Sequence, residues 1–75
     1  MNYVQTNLGY IALVTDYFKG HRHVRALVHL GNKIHPYKIP VNTLTTRIQG
    51  YSQKQLNQIK KELEAYDEAE RESLA

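Results

Sequence analysis

Three histidines and an arginine alternate along one segment of this 75-residue chain: His21, His23, Arg25 and His29. In an extended strand these odd-numbered side chains share one face. Imidazoles and a guanidinium on one surface can donate hydrogen bonds to phosphates or to base edges. His21 and His23 also have the spacing of a cation-chelating pair. No thiol is present to complete such a site, and Asp16 is the one carboxylate before residue 62. Asp16 opposite His23 would form half of an acid/base pair. No Ser–His–acid grouping and no Gly-rich phosphate loop accompanies it. The residues therefore point to binding, with no catalytic residue, metal, cofactor or small-molecule substrate expected.

The elements that must position these side chains are legible in outline. Residues 9–18 and 21–30 are rich in Val, Ile, Leu and Tyr and alternate with period two, as half-buried strands do. Lys19-Gly20 lies between them, with glycine able to supply the positive φ of a tight turn. A two-residue turn there pairs positions whose numbers sum to 39. One face then carries Ile11/Val28, Leu13/Ala26, Thr15/Val24 and Tyr17/Arg22, which reads as core. The other carries Tyr10/His29, Ala12/Leu27, Val14/Arg25, Asp16/His23 and Phe18/His21, which reads as an open, basic surface. A loop longer by one residue would shift these pairs and keep each strand's alternation.

Residues 1–8 read as a short strand or a leader. Gly31-Asn32 marks a turn into a third strand, 33–39, which Pro36 assigns to a sheet edge because proline cannot donate a ladder hydrogen bond. Val41, Leu44 and Ile48 fit one face of a short helix over 42–49, ended by Gly50. Ser52 followed by Gln55 forms a capping box at the head of a long helix over 53–73. Leu56, Ile59, Leu63 and Tyr66 make its apolar stripe, and Asp67 and Arg71 can pair at i,i+4. The expected architecture is α+β: one domain over 1–75, a small three-stranded antiparallel sheet (9–39) packed against the long C-terminal helix, with a short helix before it. That helix is longer than a small sheet needs, so its end could project and meet a second copy in a homodimer.

Charge is divided along the chain. Residues 1–61 hold nine Lys/Arg against one acid, a balance of +8, and residues 62–75 hold one Arg against six acids, a balance of −5. Such a body suits an anionic partner. The acidic tail, 62–75, could fold back and compete for the same surface. Lys19 and Arg22 near the turn and Lys33 and Lys38 on the edge strand are placed to grip phosphate. Arg25, mid-strand, could read guanine in a major groove. The absence of cysteine fits a cytoplasmic protein, and no stretch reaches the ~18 apolar residues of a membrane span.

Residues 9–31, GYIALVTDYFKGHRHVRALVHLG, resemble the N-terminal region of DDE-type insertion-sequence transposases. The matching positions are Tyr10, Leu13, Val14, Tyr17, Gly20, Arg22, Arg25, Leu27, Leu30 and Gly31. Three strands followed by a helix are also similar to integrase arm-binding domains, which lay their sheet in the major groove. Both resemblances imply duplex DNA binding. The expectation is thus a small nucleic-acid-binding protein, with duplex DNA favoured, reading through Lys19, His21, Arg22, His23, Arg25, His29, Lys33 and Lys38. The alternative is a protein-interaction or dimerisation module using the same sheet face or the projecting helix. Steep salt dependence would mark the first.

Overall fold

The computed structural model describes residues 2–74. Four antiparallel strands form a meander in the order β1 (Asn2–Gln5), β2 (Ile11–Tyr17), β3 (His23–His29) and β4 (Ile34–Pro40). A single turn of 3-10 helix follows at Val41–Thr43, and then one long helix, α1 (Gln53–Leu74). The architecture is α+β, with the helix on one face of the sheet, as expected. The sheet has four strands, not three. Residues 2–5 alternate Asn, Tyr, Val, Gln and pair in register with β2, Tyr3 opposite Leu13 and Val4 opposite Ala12.

Ser52 and Gln55 close the capping box in both directions. Ser52 Oγ accepts from the Gln55 N–H at 3.1 Å, and Gln55 Oε1 accepts from the Ser52 N–H at 2.9 Å. Two orphan donors of the first turn are thereby satisfied. Leu56, Ile59 and Leu63 pack on Ile11, Leu13 and Leu27 of the sheet, with Tyr3, Ile34, Ile48 and Tyr51 around them. Leu63 is fully buried at the centre of this layer.

The β2–β3 register corrects the sequence expectation. Ala12 pairs with Val28, Leu13 with Leu27 and Val14 with Ala26, so the sum is 40 rather than 39. A bulge at Thr15 raises the sum to 41, with Asp16 opposite Arg25 and Tyr17 opposite Val24. The hairpin closes at Phe18 and His23, whose N–H and C=O bond at 3.1 Å. Gly20 (φ 88°) and His21 (φ 58°) both take left-handed backbone in the intervening turn. A shift of one position turns every β3 side chain to the opposite face. Arg25, Leu27 and His29 therefore look toward the helix, and Val24, Ala26 and Val28 look away from it.

That second face is apolar and buried in its own right. Val4, Ala12, Ala26 and Val28 form a second cluster, with Val14, Leu30, Ile39 and Leu44 packed on it. The cover is the segment after β4. The expected short helix over 42–49 is instead one 3-10 turn and an extended strap. The Val41 N–H donates to the Arg22 carbonyl at 2.9 Å, and Thr45 exchanges backbone bonds of 2.8 and 3.1 Å with Gln5. Buried Gln5 holds the strap further: its Nε2 donates to the Gln49 and Gly9 carbonyls, and its Oε1 accepts from the Gln49 N–H. Leu44 reaches the outer cluster and Ile48 the helix-side cluster. The spacing of Leu44 and Ile48 fits one helical face, whereas the strap sends them to opposite sides of the sheet.

Both sheet edges are blunted. Thr45 covers part of β1. On β4, the Leu30 N–H donates to the Lys33 carbonyl across the Gly31-Asn32 turn. Antiparallel alternation then turns the backbone groups of residues 34, 36 and 38 outward. Pro36 occupies the middle of that outward set and has no N–H to offer. Among the described residues, no helix is long and apolar enough to cross a membrane.

Candidate nucleic-acid interface

The eight residues singled out from the sequence fall into three places. Lys19, His21 and Arg22 are exposed in the β2–β3 turn, with His23 half-buried at the start of β3. Phe18 stands beside them, 39% exposed, and the Lys38 Nζ lies 4.7 Å from the centre of its ring. Cation–π contact of this kind holds the ammonium at the hairpin end. Lys33 is exposed after the β3–β4 turn, at the opposite end of β4.

Arg25 and His29 lie elsewhere, and the expectation that both stand on an open face is overturned by the register. Arg25 Nη1 donates to Thr15 Oγ1 at 2.9 Å, and Nη2 donates to both carboxylate oxygens of Glu70 at 2.8 and 2.9 Å. His29 Nε2 is 3.5 Å from Glu62 Oε1, and its side chain is 10% exposed. Both residues tie the sheet to α1. The same pairing corrects the picture of a projecting helix end: at Glu70 the helix is still seated on β3.

Acid–base pairing leaves a distinct set of cations. Arg25 pairs with Glu70, and Arg71 with Asp67 at 3.2 Å in the i,i+4 arrangement expected from the sequence. Among the described residues, no other Lys or Arg has a carboxylate within 4.0 Å. Lys19, Arg22 and Lys38 thus have no internal counterion among the described residues. Among the described residues, no group of three or more His, Asp or Glu side chains could hold a metal ion.

The face away from the helix carries residues outside the eight expected contacts, with Tyr10 on the open face as expected and Tyr17 there rather than in the core. Tyr10, Tyr17 and Tyr37 are 38%, 54% and 45% exposed, and Leu8 at the β1–β2 turn is 80% exposed. Alternation assigns Tyr10 and Tyr37 to the side of Ala12 and Ala26, and the Thr15 bulge brings Tyr17 there as well. The Asn2 amide donates to the Tyr17 hydroxyl at 2.7 Å. His35 meets Tyr37 edge-on, ring centres 4.9 Å apart. The strap covers the β1 half of this face. The uncovered half is a groove of about 380 Å³ whose lining includes Leu8, Tyr10, Val28, Leu30, Tyr37 and Ile39. The available signal was the recurrence of tyrosine at strand positions that a single-sided sheet would bury.

No protein-family model, no curated protein and no solved structure matches this chain.

Proposed function

We propose that this chain is a small nucleic-acid-binding protein whose phosphate contacts come from the hairpin end and the β4 edge. The supporting observation is the Lys38 ammonium over exposed Phe18, with Lys19 and Arg22 exposed in the turn that follows it and no acid paired to any of the three among the described residues. Unpaired cations beside an exposed aromatic ring suit a polyanion with flat, stackable groups. His21 and His23 extend the same end, and Lys33 adds a contact at the far end of β4. The resemblance of residues 9–31 to transposase DNA-binding regions agrees with this reading. We also place the chain in the cytoplasm, which a cysteine-free composition fits. Direct reading of a duplex by Arg25 has less support, since its guanidinium is engaged by Glu70 and Thr15. His29 serves the helix contact in this reading.

Measuring affinity for mixed-sequence oligonucleotides as a function of salt tests the reading. Binding should weaken steeply between 50 and 200 mM salt. Lys19→Ala and Arg22→Ala should each reduce the salt slope by about one unit and weaken all sequences alike. Slopes unchanged by both substitutions would remove the hairpin end from the interface.

A second reading is favoured by one observation, the exposure of Leu8 and three tyrosines on the outer face. A protein partner, or a second copy of this chain, could cover that surface. Its binding would respond little to salt and would survive the Lys19 and Arg22 substitutions.

A further inference from the structure

We infer that the groove on the outer face is a site for unpaired nucleobases, so that the nucleic acid bound is single-stranded. The inference rests on the nucleic-acid reading above and specifies which form of nucleic acid is recognised. The groove is the part of the outer face that the 41–46 strap leaves open. Its floor is aliphatic, from Val28, Leu30 and Ile39, and Tyr10 and Tyr37 supply aromatic rings. Tyr37 stands opposite Ala26 across the β3–β4 ladder. A methyl group in that place leaves the phenol ring without a bulky cross-strand neighbour. His35 steadies the ring by an edge contact.

Cations frame the groove along β4. Lys33 follows Leu30 across the tight turn at one end. Arg22 lies at the other, where its carbonyl receives the Val41 N–H. Lys38 also lines the groove, but it pairs with helix-facing Arg25 and its Nζ lies over the Phe18 ring, so its charge sits at the hairpin end. An occupant that places flat apolar groups on the floor and negative charge along the rim satisfies both features. Single-stranded nucleic acid has this construction.

Duplex DNA does not fit the same surface. A major-groove reader must enter a groove about 12 Å wide with a protruding element, and this face is a depression. Paired bases hide their faces in the stack, whereas unpaired bases offer theirs to aromatic rings. An extended peptide is also disfavoured as occupant. Its usual mode is strand addition at a free edge, and Pro36 removes the central donor of β4's outward side.

The test compares a labelled oligothymidylate with the same strand annealed to its complement, at fixed salt, on the full chain. The single strand should bind at least tenfold more tightly. Tyr37→Ala should weaken single-strand binding by roughly 5- to 100-fold, in line with the loss of one base–aromatic stack, while leaving the salt slope unchanged. Tyr37→Phe should retain the affinity. Tyr37 is 45% exposed, so neither change empties the core, and the thermal melting curves should match wild type. The chain has six tyrosines and no tryptophan, so quenching of tyrosine fluorescence by the oligothymidylate gives an independent readout, and it should fall in Tyr37→Phe/Tyr10→Phe at undiminished affinity, because the stacked rings no longer emit. Duplex binding equal to or tighter than single-strand binding overturns the inference. So does a Tyr37→Ala protein with unaltered single-strand affinity. If Lys19→Ala and Arg22→Ala still weaken binding in either case, nucleic-acid recognition stands and the groove alone is excluded. Failure of both probes to bind removes both proposals.

Discussion

Arg25 of β3 and Glu70 of α1 are joined across the sheet–helix interface, one guanidinium nitrogen donating to both carboxylate oxygens at 2.8 and 2.9 Å. Thr15, the extra residue of the β2 bulge, accepts from the other terminal nitrogen at 2.9 Å. The bulge, the arginine and the last turns of the helix thus form one unit. Both charged side chains keep a little under a third of their surface in solvent. Solvent screening places the pair between an exposed bridge and a buried one. A double-mutant cycle with Arg25→Ala and Glu70→Ala should give a coupling of about 1 kcal/mol. A coupling near zero would make the pair incidental to stability.

The same contact bears on binding. Under the nucleic-acid reading, Glu70 occupies the guanidinium nitrogen that a phosphate would otherwise engage. Glu70→Gln frees the guanidinium of its counter-charge, and single-strand affinity should rise about two- to fivefold at low salt, an electrostatic gain of under 1 kcal/mol. Unchanged affinity in a folded Glu70→Gln protein would confine Arg25 to holding the helix.

The acidic tail has a structural role that its charge conceals. Residues 62–74 are the second half of α1, and Leu63 within them is fully exchanged from water into the core. Leu63→Ala should cost about 3 kcal/mol, as large-to-small changes at buried leucines do. In a chain of this size such a loss is a large part of the total stability. A chain ending at Glu62 lacks Leu63 altogether and should show no cooperative melting transition by circular dichroism. A sharp transition in that shortened chain would mean that the sheet and strap are self-sufficient.

Local chemistry was readable from the residues, and phase between strands was not. The Ser52/Gln55 cap, the Asp67/Arg71 pair and Pro36 at an edge each depend on neighbours within a few positions. Register depends on loop length and on bulges. The left-handed His21 lengthens the β2–β3 turn and Thr15 adds a second displacement, so Arg25 and His29 face the helix. Alternation also misled because β3 is covered on both sides. Ala26, Leu27 and Val28 are consecutive and all buried, which a sheet with one wet face does not produce. The strap that buries the second face has no period of its own, and its anchor, Gln5, is a polar side chain that only long-range carbonyls explain.

Tyr3 offers a pH-dependent readout of the helix contact. Its hydroxyl donates to the Glu64 carboxylate. Burial first, and then the bond and charge of Glu64, hold its pKa well above the ordinary phenol range. A folded-state pKa raised above the unfolded value near 10 stabilises the protein fully below that pH. The contribution is lost as pH rises through the folded value. Tyr3→Phe should therefore be less stable than wild type by about 1 kcal/mol at neutral pH. The gap should narrow above about pH 10, where wild type alone loses this term. Urea melts at pH 7 and pH 11 measure it, and a constant gap would detach Tyr3 from the titration.

His21 is the one non-glycine residue among those described with positive φ, at 58°, and it sits at the tip of the proposed phosphate-gripping end. Histidine tolerates this conformation at a modest energetic cost, a β-branched residue at a much larger one. His21→Gly should thus raise stability by about 0.5 kcal/mol, and His21→Val should lower it by more than 1 kcal/mol. The imidazole faces the Tyr17 ring with centres 5.9 Å apart, so its removal exposes both the turn and that ring. If histidine is retained here for contact with phosphate, the more stable His21→Gly protein should bind the single strand about two- to fivefold more weakly, the worth of one hydrogen bond to an anion in solvent. Higher stability with undiminished affinity would mean that the side chain serves neither the turn nor the ligand, and phosphate contact at the hairpin end would then rest on Lys19, Arg22 and Lys38.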